Sequence, residues 1–355
     1  MYKSVFMKGM DKPRYPIVQG GMGVNISNLE LMVACGQADI LGTGSSVAID
    51  QVVSSRTGKK HSTMEAVERQ IVEAKECGYA AMNIMARLND FTESVKGAAR
   101  ANANMIVSGA GFPSKLPSIV ESVVGKEHDI ALVPIVSSAR AADIMIRKWE
   151  KQGYRPDAFV LEGPKAGGHI GWSYKDIDDD FFEKNDLMDV LLPELLDYIE
   201  KKHLDIPVIV AGGIRTSEDI NYALSKGASA VQIGTPFVAT YESGAIDDYK
   251  RVLVASSNED VLTGDESWGS PAGLPFRYLR DSPLEKKGKY FCIGSALVSA
   301  AGFSEKPGKC PEGYLPKKCL AHGNAIYKAI YSAGTEIDMI REIKYAKDVV
   351  ESLVK

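Results

Sequence analysis

The sequence lacks most of the short signatures that assign a protein at sight. Its five cysteines, Cys35, Cys77, Cys292, Cys310 and Cys319, are odd in number and contain no CxxC pair. A disulfide framework and a zinc ribbon are both disfavoured, because structural metal ligands come in closely spaced pairs. Cys292, Cys310 and Cys319 share one C-terminal stretch but are too widely spaced for a normal ligand set, so no metal is expected. No apolar run approaches the roughly 18 residues that a membrane span requires. The N-terminal MYKSVFMKGMDKPRYP has no apolar core of a secretory signal, and a cytoplasmic protein is expected. Basic charge is not in excess either: 42 Lys and Arg stand against 46 Asp and Glu. That balance disfavours a nucleic-acid binder, which needs a basic face to neutralise phosphates. Gly21-x-Gly23 and Gly42-x-Gly44 begin like a dinucleotide fingerprint, but Ile26 and Val47 occupy the third glycine position. GxxxxGK[ST], HExxH and GxSxG are all missing. A Rossmann NAD domain, a P-loop NTPase, a zinc protease and a serine hydrolase therefore have little to stand on.

What is present is an alternation. The 355 residues are 45% hydrophobic and 25% charged, a globular composition. Eight short apolar runs recur: Pro16–Gln19, Asp39–Thr43, Ala80–Met85, Met105–Gly109, Ala131–Val136, Ala158–Glu162, Pro207–Ala211 and Ala230–Gly234. Each is rich in β-branched residues or alanine and bounded by glycine or proline, as buried parallel strands are. Amphipathic stretches separate them: Asn28–Gly36, Met64–Cys77, Phe91–Asn102, Lys115–Val124, Ala139–Gln152, Leu187–Lys202 and Ser217–Lys226. Eight β/α units within about 240 residues predict an α/β fold, a TIM (β/α)₈ barrel. The acidic stretch Gly171–Asn185 interrupts one unit on the catalytic face, either as a lid or as a solvated loop. From Asp247 the strand rhythm stops, and helical patterns follow at Ile293–Ala301, Ala325–Ser332 and near Met339–Val354. The expected division is a barrel over residues 1–246 and a helical C-terminal extension over 247–355.

Glycines cluster just after the strand candidates: Gly20 to Gly23, Gly42 and Gly44, Gly109 and Gly111, Gly167 and Gly168, Gly212 and Gly213, and Gly234. Glycine permits close backbone approach to a ligand, so the pattern describes one broad mouth ringed by main chain. Loops seven and eight of such barrels often present backbone N–H groups to a phosphate. Gly212, Gly213, Gly234 and Thr235 are the candidates. With no dinucleotide or P-loop motif, the ligand is a mononucleotide cofactor or a phosphorylated substrate. His169, flanked by glycines in GPKAGGHIG just past the strand ending in Glu162, can take or give a proton at neutral pH. His61, His128, His203 and His322 lie in polar or helical contexts and read as surface residues. Asn83 is a polar residue inside the apolar run AAMNIMA, and either a flavin edge or a hydrogen bond across the barrel would satisfy its amide.

Taken in order, PIVQGGMG, MNIM, SGAGFPSK, GPKAGGHIG, PVIVAGGI and AVQIGTPFVATYES resemble the nitronate monooxygenase (2-nitropropane dioxygenase-like) family over about residues 14–245. The same superfamily holds flavin-dependent enoyl-[acyl-carrier-protein] reductases and NADH:quinone reductases. SPAGLPFRYLRD and FCIGSALVSAAG extend the resemblance less specifically. It implies an FMN-dependent oxidoreductase that turns alkyl nitronates into carbonyl compounds and nitrite. The alternatives are enoyl thioester or quinone reduction with NAD(P)H and, remotely, a non-catalytic barrel that binds flavin or a phosphometabolite. The resemblance places Gly21, Met22 and Gly23 by the isoalloxazine, Asn83 by the ring or ribityl chain, and Gly212–Gly213 and Gly234–Thr235 at the phosphate. Glu162, Gly167 and Gly168 complete the expected cofactor set, and His169 matches the catalytic base or proton donor. The implied partner is a small molecule, with neither nucleic acid nor membrane, and the resemblance is compatible with a homodimer. One departure stands out: Lys165 occupies a position that is often acidic in relatives.

Overall fold

The computed structural model describes residues 13–264, 274–282 and 330–355. Eleven strands lie in these residues: β1 (Ile17–Gln19), β2 (Gly42–Ser45), β3 (Ala80–Met85), β4 (Met105–Gly109), β5 (Ala131–Val136), β6 (Phe159–Glu162), β7 (Gly168–His169), β8 (Val208–Ala211), β9 (Ala230–Ile233), β10 (Val261–Gly264) and β11 (Phe276–Leu279). Eight of them form one parallel sheet in the order β1-β9-β8-β6-β5-β4-β3-β2. A bridge from Val18 to Leu41 joins its two ends, with Gln19 N–H donating to the Leu41 carbonyl at 2.9 Å. The ring closes into the expected TIM barrel, and all eight predicted runs supply its strands.

Alternation along each strand divides the core in two. Val18, Ala81, Met105, Val107, Val133, Val160 and Ile209 fill the barrel interior. Their neighbours in sequence, such as Ile106, Leu132, Phe159 and Leu161, pack outward under the helices. Both faces are therefore apolar, which is why the runs read as continuous rather than alternating. Helix starts follow local chemistry. The Asn28 side chain caps Leu29–Gln37 by accepting the Leu31 N–H, while Ser62 with Glu65 and Thr216 with Asp219 form capping boxes.

Four features differ from expectation. A helix at Ile49–Thr57 lies between β2 and the predicted helix, which itself runs Thr63–Lys75. The tail is not purely helical: β10, β11 and β7 form an antiparallel three-stranded sheet beside the barrel mouth. Ser332, at the end of an expected helix, instead forms an antiparallel bridge to Tyr278. The terminal helix begins later than expected, at Ala346, and runs to Val354. The pattern at Ile293–Ala301 lies outside the described residues, as do Cys292, Cys310, Cys319 and His322. The Gly171–Asn185 insertion leaves its acidic run exposed and anchors through the buried Phe181. Trp172 meets Phe181 edge-on at 5.4 Å, and Tyr174 Oη donates to the Leu274 carbonyl at 3.0 Å. Among the described residues, no helix is long and apolar enough to cross a membrane, and no cluster of His, Cys, Asp and Glu could hold a metal ion.

Candidate active site

The C-terminal ends of β1, β6, β8 and β9 meet around one cavity. Gly21, Met22, Glu162, Gly167, Gly212, Gly213, Gly234 and Thr235 line it together with Lys165, Gln232, Ala333, Gly334 and Glu336. Eight of the eleven proposed cofactor residues are thus brought to one wall. Of the others, Asn83 lies directly behind Gly21: a Cβ on Gly21 would sit 2.4 Å from Asn83 Cβ and 2.9 Å from the Gly44 carbonyl. Gly23 packs against Ser45 and Val47, and Gly168 lies on β7.

Backbone conformation accounts for the double glycine after β8. Gly212 and Gly213 have φ of +102° and +82°, values that L side chains rarely adopt. A Cβ on Gly212 would also approach the Ala166 amide nitrogen to 3.0 Å. This turn therefore presses against the β6–β7 loop while leaving its cavity side free of side chains. After β9, Thr235 Oγ1 accepts the Gly334 N–H at 3.1 Å, so the C-terminal segment Ala333–Glu336 forms the outer wall. Several buried oxygens have no hydrogen-bond partner within the protein: Gln232 Oε1, which faces this region, Thr43 Oγ1 and Thr335 Oγ1. Buried polar atoms are rarely left so unless a ligand or water completes them.

His169 rides on β7, which pairs with β11 so that His169 faces Phe276 and Gly168 faces Arg277. Its ring meets the Phe276 ring edge-on at 4.9 Å. Burial, helped by the Arg87 charge, lowers its pKa from 6.5 to about 4. At neutral pH the imidazole is uncharged and can accept a proton. Glu162 moves the other way: burial raises its pKa to about 7, against the pull of the Arg277 guanidinium.

Arg277 was not anticipated from the sequence. It is almost fully buried, and Nη1 donates to the carbonyls of Pro164 and Ala166, while Nε donates to Thr263 Oγ1 at 3.2 Å. It thereby ties the loop carrying His169 to β10 and β11. The signal was a lone cation in the apolar run LPFRYL, where alternation alone would not place a partner. Lys165, the departure at this loop, is also accounted for: its Nζ lies 2.8 Å from Glu336 Oε1. The Lys165 charge is met by a carboxylate from the C-terminal segment.

The depressed pKa of His169 has a consequence for stability. Between pH 6.5 and about 4, the unfolded chain takes up a proton at this residue and the folded chain does not. The His169 contribution is thus fully present above pH 6.5 and lost as pH falls through that window. His169→Gln should lower stability less steeply than wild type between pH 6.5 and 4. Parallel slopes of melting temperature against pH for the two proteins would remove this reading.

The model of the family described as nitronate monooxygenase matches residues 56–355. A "Probable nitronate monooxygenase" of Staphylococcus haemolyticus is 32% identical over 168 residues, 46% of this chain and 41% of that protein. The chain thus spans less than half the length of this curated relative. Among solved structures, FabK from Thermotoga maritima superposes with a TM-score of 0.66 at 23% identity, covering 96% of this chain and 91% of that one. Nitroalkane oxidase from Streptomyces ansochromogenes gives a TM-score of 0.64 at 20% identity, covering 97% and 95%. At those identities the two structures speak for the barrel, whereas the family model spans most of the chain. The chain belongs to the nitronate monooxygenase family, a family of flavin-dependent oxidoreductases.

Proposed function

We propose that this chain is a cytoplasmic FMN-dependent nitronate monooxygenase that oxidises alkyl nitronates, and nitroalkanes after deprotonation, to carbonyl compounds and nitrite. The observation that carries the reading is the glycine-lined cavity at the strand ends, walled by the loop that leads from Glu162 to His169 on β7. A cavity lined in part by glycine main chain, beside which the buried Gln232 Oε1 lacks a protein partner, fits a flavin nucleotide. Gly212, Gly213, Gly234 and Thr235 would hold the phosphate. Gly21, Met22 and Gly23 would lie by the ring, with Asn83 behind them, and Glu162, Gly167 and Gly168 would complete the enclosure. Bound there, the flavin would supply an acceptor for the substrate's electrons, with dioxygen as the co-substrate that takes them on and provides the carbonyl oxygen.

The chain's own residues prepare the substrate. His169 takes the α-proton of a neutral nitroalkane on an imidazole nitrogen, leaving the nitronate anion beside the new imidazolium. That anion favours the charged imidazolium and so offsets the burial that holds the free group near 4. Arg277 fixes the Pro164–Ala166 arc, and β11 fixes the ring through Phe276, so the base is oriented before substrate arrives. A second reading, reduction of an enoyl thioester with NAD(P)H, draws support from the SGAGFPSK loop. It requires a proton donor, a role less suited to an imidazole that is uncharged at neutral pH.

Two measurements test these readings. FMN should co-purify without a covalent bond and appear in the supernatant on denaturation. Release of FAD, or failure to take up FMN after reconstitution, would remove the cofactor assignment. Anaerobic mixing with propyl nitronate, NADH and NADPH in parallel should bleach the flavin band with the nitronate. Bleaching by a reduced nicotinamide alone would favour the second reading.

A further inference from the structure

We infer that Lys165 selects the phosphorylated cofactor, its ammonium serving as counter-charge to a phosphate at the Gly212–Gly213 turn. The inference rests on the FMN reading above and concerns a residue that reading did not use.

Among the described residues that line the cavity, Lys165 is the sole side-chain cation. The charged side chains it shares that wall with are Glu162 and Glu336, both carboxylates. Without Lys165, the ionisable side chains left on the cavity wall would be the carboxylic acids of Glu162 and Glu336. The lysine is also in position. A Cβ built on Gly213 would lie 3.0 Å from Lys165 Cδ and 3.1 Å from its Cβ, so the stem packs directly on the turn. Its ammonium is now engaged by Glu336 Oε1 at 2.8 Å. That carboxylate does not depend on the lysine: its other oxygen accepts from Arg215 Nη1 at 2.8 Å, and Arg215 is anchored in turn by Asp219.

The arrangement allows an exchange of partners. A phosphate at the turn repels Glu336, which Arg215 retains, while the flexible lysine stem lets Nζ rotate toward the phosphate oxygens. An acidic side chain at position 165 could not do this. Lys165 therefore supplies from a side chain part of the binding that main-chain N–H groups provide at the turn itself.

The test compares FMN with riboflavin, which has the same ring and ribityl chain but no phosphate. The full chain, stripped of flavin, is titrated with each ligand by quenching of flavin fluorescence. Wild type should prefer FMN. Lys165→Met should weaken FMN binding by about tenfold, the scale of one partly exposed charge-assisted hydrogen bond, and leave riboflavin unchanged. Lys165→Arg should restore most of the preference. Equal weakening of both ligands would mean that the residue merely packs the loop, and unchanged FMN binding would mean that the phosphate ignores it. Either result overturns the inference. If wild type itself bound riboflavin as tightly as FMN, the phosphate assignment at the turn would fail instead, before any variant is compared.

Discussion

Replacing His169 with alanine is expected to slow turnover of neutral nitroalkanes by about 10²–10⁴-fold while leaving folding and flavin content intact. The ring contacts Phe276, and the strand that carries it is held by β7–β11 pairing through main chain, so truncation spares the strand. A preformed nitronate has already lost its α-proton, and its turnover should fall much less. An enoyl thioester still needs a proton after hydride transfer, so its reduction would fall by the full factor unless solvent substitutes. Steady-state kinetics on all three substrates, with flavin measured alongside, separate these cases. The pH profile adds a check. A base that titrates at about 4 in the free enzyme leaves kcat/KM on the neutral nitroalkane flat from pH 7 down to about 5, with loss below that. Unchanged activity of the alanine variant on every productive substrate would leave the mechanism without its proton carrier.

Gly213→Asp should yield folded protein that is nearly free of flavin. At φ +82° an aspartate bears strain of about 1 kcal/mol, tolerable in a domain of this size. The new side chain would meet the Lys165 stem, Cδ at 3.0 Å and Cβ at 3.1 Å, so that residue must shift slightly to admit it. The charge is the larger effect. A carboxylate at the turn proposed to offer N–H groups to a phosphate would both repel the ligand and compete for its donors. Losing about 3 kcal/mol of charge-assisted bonding corresponds to FMN affinity lower by roughly a hundredfold or more. Gly213→Ala is the control, since it imposes the backbone strain without the charge and should lose far less. Wild-type FMN retention in the aspartate variant would place the phosphate elsewhere.

The barrel was legible because its strands are buried on both faces. AAMNIM, MIVSG and ALVPIV are predominantly apolar runs, and each became a strand with the expected bounds. The Ile49–Thr57 helix escaped because it buries just Ile49 and Val53, and SSRTG at its end reads as a turn. The three-stranded sheet escaped for a different reason. A two-residue strand at Gly168–His169 has no periodicity, and its partner lies over a hundred residues away. The glycines of the candidate site could be read individually, since each marks a strand end. Arg277 and Glu336 could not, because their meaning depends on Pro164, Ala166 and Lys165, which chain distance hides.

The outer wall of the cavity has a consequence for the order in which the protein is made. Gly20, Gly21 and Met22 leave the ribosome early, whereas Ala333, Gly334 and Glu336 follow all eight barrel strands. A nascent chain can close its ring through β1 and β9 before the segment that fastens to Thr235 and Lys165 exists. Until then the mouth stands open to water on that side, so secure capture of the cofactor falls to the completed chain. The same segment defines the exit. Its Gly334 and Thr335 amides, bonded to Thr235 Oγ1 and the Lys165 carbonyl, are where transient detachment would show first as hydrogen exchange.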